Sequence, residues 1–84
     1  MLVEGRVQGV GYRVTCARRA RAAGLAGWVR NLGDGRVEVI LQGTPDAVSE
    51  IERWCRHGPR MAVVTNVSAS DEPPVSDTGG FEIR

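Results

Sequence analysis

Gly27-Trp28-Val29-Arg30-Asn31 runs through Leu32 into Gly33-Asp34-Gly35, and then into Arg36-Val37-Glu38-Val39-Ile40-Leu41-Gln42. Gly27 to Asn31 is short and carries Trp28 and Val29, which predicts a strand. Gly33-Asp34-Gly35 is a hairpin signal, because Asp-Gly tolerates the positive φ angles of a tight turn. From Arg36 to Gln42 the side chains alternate. Val37, Val39 and Leu41 point one way, and Glu38, Ile40 and Gln42 the other, as in a half-buried strand. An antiparallel hairpin therefore stands in the middle of the chain.

Helical segments flank it on both sides. Upstream, Tyr12 to Ala23 is rich in Ala and Arg, which favour helix. Tyr12, Cys16, Ala20 and Ala23 recur at spacings of four and three as a core stripe, and Gly24 suits the left-handed position after a helix end. Before it, Leu2 to Val7 reads as a first strand, interrupted by Gln8 to Gly11. Downstream, Thr44-Pro45 is an N-cap followed by proline at the first helical position, and Asp46 complements the helix dipole. Val48, Ile51 and Cys55 form this helix's buried stripe, with Ala47 and Trp54 beside it, and Gly58-Pro59 ends it. Met61 to Ser70 reads as a strand, Asp71 to Gly80 as a loop, and Phe81 to Arg84 as a short last strand.

The order is β-α-β-β-α-β plus one strand. The simple packing is an antiparallel sheet with both helices on one face, a ferredoxin-like α+β sandwich. With 84 residues, residues 1–84 are expected to form a single domain. Such a domain has no room for an interdomain cleft, so a site must lie at the edge or end of one core.

Composition removes several functions. The formal net charge is +1, so the molecule as a whole does not read as a nucleic-acid binder. All eleven basic residues are Arg, which excludes a Schiff-base lysine and a Walker lysine. No apolar run approaches the ~18 residues of a membrane span, and no export signal opens the chain, so a cytoplasmic location is expected. Cys16 and Cys55 are not in a C-x-x-C pair, and one histidine, His57, cannot complete a zinc site with them. They are expected to be buried free thiols. A cysteine-phosphatase loop needs Arg six residues after Cys, and those places hold Ala22 and Met61.

One segment carries chemistry. Gly5-Arg6-Val7-Gln8-Gly9-Val10-Gly11-Tyr12-Arg13 joins a strand to a helix start. Glycines let the backbone turn its N–H groups toward a common point, and a helix N-terminus adds unpaired donors and partial positive charge. Arg13 breaks the usual preference for Asp or Glu in a first turn, and no acid stands there. A guanidinium beside an anion nest suits a phosphate. Asn31, whose amide both donates and accepts, ends a strand just before the hairpin turn and could position a water.

At these residues a resemblance becomes specific. G-R-V-Q-G-V-G-Y-R, then G-W-V-R-N about fifteen residues on, then D-G-x-V-E-V, is similar to the acylphosphatase family. The likeness extends through T-P-D-A-V, H-G-P and the closing G-F-E-I-R, nearly the whole chain. It implies the ferredoxin-like fold and hydrolysis of acyl phosphates to carboxylate and inorganic phosphate. It implies a phosphate cradle at Gln8, Gly9, Val10, Gly11, Tyr12 and Arg13, with Arg13 and Asn31 catalytic. No metal and no cofactor are implied. Tyr12 stands where Phe is usual, and the first strand starts later than is common, which shortens its pairing.

The expected partners are small acyl phosphates, with no nucleic acid, no membrane and a monomeric state. The alternative is a non-catalytic anion- or nucleic-acid-binding module of the same fold. Arg18, Arg19 and Arg21 could serve an anionic partner, but the stacked aromatic pair of an RNA-binding sheet is missing. A similar domain is fused to larger modules in the carbamoyltransferases of hydrogenase maturation; the chain's close at Phe81 to Arg84 favours a free-standing enzyme. Trp28 and Trp54 are expected to pack, and His57 to sit at a helix C-terminus.

Overall fold

The structure is a computed structural model and describes residues 1–71 and 79–84. Its elements are β1 (Leu2–Arg6), α1 (Tyr12–Ala22), β2 (Ala26–Asn31), β3 (Val37–Gln42), α2 (Pro45–Cys55), β4 (Val63–Ser68) and β5 (Phe81–Ile83). Most of the loop expected over Asp71 to Gly80 lies outside the described residues.

The five strands form one sheet in the order β4-β1-β3-β2-β5. β1 pairs antiparallel with β3 and β4, and β2 pairs antiparallel with β3. The first four strands thus form the expected antiparallel sheet, and the short last strand, β5, adds to it parallel to β2, a direction that had not been expected either way. A three-residue strand carries no sequence cue to its edge or direction. Its place is set by main-chain bonds, from Gly27 N–H to Gly80 (3.1 Å) and from Arg84 N–H to Val29 (2.9 Å).

Alternation along the strands puts Val3, Val29, Val37, Val39 and Phe81 on one face, where they share a core with Cys16, Ala17 and Ala20 of α1 and Ile51 and Cys55 of α2. Both helices thus cover the same face, as the element order required. At α1's other end Gly24 holds φ +75°, the left-handed turn expected after Ala23, and the helix itself closes one residue earlier, at Ala22.

Two local expectations change. The connection between β2 and β3 is longer than a two-residue turn. Leu32 N–H bonds the Arg36 carbonyl (2.8 Å) and Gly35 N–H bonds Leu32 (3.2 Å), and only Gly35 of the Asp-Gly pair has positive φ. The fourth strand is shorter than Met61 to Ser70. It pairs only with β1, from Arg6–Val63 to Leu2–Ser68. Ala62 N–H instead closes a turn onto Pro59 (2.9 Å). Among the described residues no helix is long and apolar enough to cross a membrane.

Candidate active site

The segment between β1 and α1 is held at both ends and open between them. Gly9 and Gly11 have φ +73° and +80°, with Val10 between them. A Cβ at either glycine would meet nothing within 4 Å, so glycine is required here by backbone angle and not by crowding. Alternating left-handed residues turn successive N–H groups toward one side, a concave site for an anion. Gly11 is also the N-cap of α1 and supplies no side-chain cap, and the first turn holds no acid. Among the described residues, no N–H from Gln8 to Val14 donates to a backbone group; the first such donor is Thr15, to Gly11 (3.1 Å). An uncapped helix start normally costs stability.

Arg13 is half-buried and, among the described residues, forms no ion pair with a carboxylate. Other arginines are engaged. Arg30, Arg36, Arg56 and Arg84 pair with Glu38, Asp34, Glu52 and Glu82. Arg21 Nε donates to the Phe81 carbonyl (3.0 Å), and Arg19 lies over the Trp54 ring (5.3 Å). The arginine cluster of α1 is therefore partly structural.

Asn31 ends β2 opposite Val37. It shares the parity of Val29, which places it on the helix-covered face beside the cradle end of the sheet. Its Oδ1 is buried and has no hydrogen-bond partner. A buried oxygen left unpaired costs about 1–3 kcal/mol, which is a reason to look for a ligand or water there.

Side chains pin the cradle's flanks. Gln8 Nε2 donates to the Leu32 carbonyl (2.8 Å) and the Arg36 carbonyl (3.0 Å), linking the cradle to the loop that follows Asn31. Sequence reading placed Gln8 here for its main-chain N–H alone. Its side-chain bonds carry no sequence signal, because both partners are carbonyls that any residue supplies. At the other flank the Tyr12 hydroxyl, the extra group relative to Phe, donates to the Cys55 carbonyl (2.7 Å). Tyr12 is buried, and burial pushes its hydroxyl well above the usual range. Of Tyr12, the cradle can use only the main-chain N–H.

The ionisable groups near by are occupied elsewhere. Asp34 in the hairpin accepts from Arg36 N–H (3.1 Å) and Arg36 Nε (2.8 Å), which hold its carboxyl below the ordinary value. Cys16 and Cys55 are both free and buried. The hydrogen bond between the two thiols, together with burial, pushes Cys16 far up. The same hydrogen bond lowers Cys55, against the opposing effect of burial. Among the described residues, no three of His, Cys, Asp and Glu gather as a metal would require.

A mixed sheet with two helices on one face defines a ferredoxin-like α+β domain. Comparison with known proteins narrows it. The acylphosphatase family matches residues 1–83. A protein named acylphosphatase from Synechococcus sp. (strain WH7803) is 56% identical over 82 residues, covering 98% of this chain and 81% of its own. The crystal structure of acylphosphatase from Bacillus subtilis superposes with a TM-score of 0.92 at 35% identity, covering 99% of this chain and 92% of that one. An acylphosphatase structure from Coxiella burnetii gives 0.89 at 37% identity, over 99% and 86%. The chain belongs to the acylphosphatase family.

Proposed function

We propose that this member of the acylphosphatase family hydrolyses the carboxyl–phosphate bond of acyl phosphates with the Gln8–Arg13 segment as its phosphate-binding loop and Arg13 and Asn31 as its catalytic residues. The observation that carries the residue assignment is the uncapped start of α1, with no acid in its first turn and Arg13 there instead. In this reading the N–H groups of Gln8 to Arg13 and the Arg13 guanidinium hold the phosphoryl oxygens. Asn31, with its unpartnered Oδ1, holds a water in line with the bond to be broken.

The chemistry is coherent with so few groups. An acyl phosphate is an activated anhydride whose leaving group is a carboxylate, so acid catalysis at the leaving oxygen is unnecessary. The water oxygen bonds to phosphorus, the bond from phosphorus to the acyl oxygen breaks, and carboxylate leaves with that electron pair. A phosphoryl oxygen of the substrate takes the water proton. Catalysis is then positioning and charge stabilisation. The positive charge comes from Arg13 and the helix start, so no metal or cofactor is needed. We also infer a monomer acting on small substrates in the cytoplasm, without nucleic-acid or membrane partners. The two free buried thiols fit a reducing compartment.

The test is hydrolysis of an aryl acyl phosphate in excess chelator, with Arg13→Ala and Asn31→Ala alongside. Activity that survives chelation and collapses in both variants supports the reading. Activity that the chelator abolishes removes the metal-free mechanism, and activity retained in either variant removes that residue's role.

A further inference from the structure

The ladder between β1 and β3 ends at Val3–Val37. Beyond that point β1 runs on to Arg6 against β4 alone, and Glu4 and Gly5 line an open cleft with Asp34, Gly35 and Arg36. Among the described residues, no main-chain hydrogen bond joins the cradle to the β2–β3 loop. The Gln8 carboxamide spans this gap. Its Nε2 reaches Leu32 O and Arg36 O, and these two residues are themselves bonded across the neck of the loop. Both protons of one amide nitrogen are used, which fixes the orientation of the group. Leu32 directly follows Asn31, and Arg36 directly precedes Val37, the residue opposite Asn31.

We propose that Gln8 is a positioning residue whose side chain sets the separation between the phosphate cradle and Asn31. This rests on the function proposed above. The carboxamide itself does not touch substrate, since its donors are spent on the loop. Its influence reaches the reaction through Asn31 and the water that Asn31 holds. An in-line attack tolerates little displacement, and a misplacement of about 1 Å can cost about 10²-fold in rate. The signature is therefore a loss in kcat that leaves phosphate binding in place and disappears once Asn31 is gone.

Gln8→Glu keeps the shape and turns an acceptor toward two carbonyls; Gln8→Met keeps the length without polarity and serves if the first variant fails to fold. We would measure kcat, KM and the inhibition constant of inorganic phosphate for each, alone and combined with Asn31→Ala, with Arg13→Ala as a control. The expected result is a fall in kcat of about tenfold or more, phosphate inhibition within about threefold of the parent, and little further loss on the Asn31→Ala background. An unchanged kcat, a full additive loss on Asn31→Ala, or a matching loss of phosphate affinity would each overturn the proposal. If Arg13→Ala and Asn31→Ala collapse activity while the Gln8 variants match the parent, only the positioning role falls. If Asn31→Ala is fully active, the catalytic reading falls and takes this proposal with it.

Discussion

The two helices of this molecule begin in opposite ways. α2 starts with Thr44, whose side chain accepts from Ala47 N–H, then Pro45 and Asp46. Each of these satisfies or complements a helix start. α1 starts at a left-handed glycine with no side-chain cap and no acid, and places Arg13 in the first turn. One chain thus holds a start built for stability and a start left open. Because α2 follows the local rules, the departures at α1 do not reflect a sequence indifferent to capping. They concentrate where the site is proposed, as expected when a binding function opposes local stability.

The largest effect should come from removing the cation at the open start. Arg13→Ala is expected to lower kcat/KM by about 10²–10³ while leaving the thermal midpoint near the parent's or above it. A variant that unfolds instead would make Arg13 a structural residue and dissolve the contrast. The mirror experiment is at the closed start. Thr44→Ala should cost about 1 kcal/mol of stability in denaturant unfolding and leave kcat/KM unchanged.

A finer test gives α1 the acid it lacks. Val14 is 54% exposed in the first turn, so Val14→Asp disturbs no core. It should add a few tenths of a kcal/mol of stability through the dipole and weaken phosphate inhibition by about two- to fivefold. Stabilisation with unchanged inhibition would show that the anion does not sit at this helix end.

The smallest effect lies on the sheet's open face, away from both helix starts. Burial alone would raise the Glu38 carboxyl. Hydrogen bonds from Arg30 and Trp28, with the Arg30 charge, outweigh it and hold the group below its ordinary 4.5. The folded value is lower than the unfolded one, so its stabilisation is present above pH 4.5 and is lost as pH falls through the folded value. Glu38→Gln should flatten that part of the acid limb by a few tenths of a kcal/mol, read from urea midpoints at neutral pH and near pH 4.

Much of this was legible because local and tertiary preferences agree. The α2 cap, the alternation of Val37, Val39 and Leu41, and the stripe through Tyr12, Cys16 and Ala20 each follow from one-dimensional pattern, and the structure keeps them. The direction of β5 and the length of β4 were not legible, since both depend on which strand lies beside them. The cradle's glycines and Arg13 stood out as broken rules. The clamp at Gln8 did not, because a side chain bonded to main-chain carbonyls leaves no trace in the identity of its partners.

The two tryptophans divide the molecule optically. Trp54 lies with its ring 5.3 Å from that of Tyr12, one residue from Arg13. Trp28 sits on the opposite face of the sheet, bonded through Nε1 to Glu38 (2.9 Å) and covered by Arg84 (4.2 Å). Excited together, they are two chromophores in different electrostatic surroundings. A change in emission that persists in Trp28→Phe and vanishes in Trp54→Phe would report events at the cradle end without any label, so that filling and emptying of the site could be followed in real time.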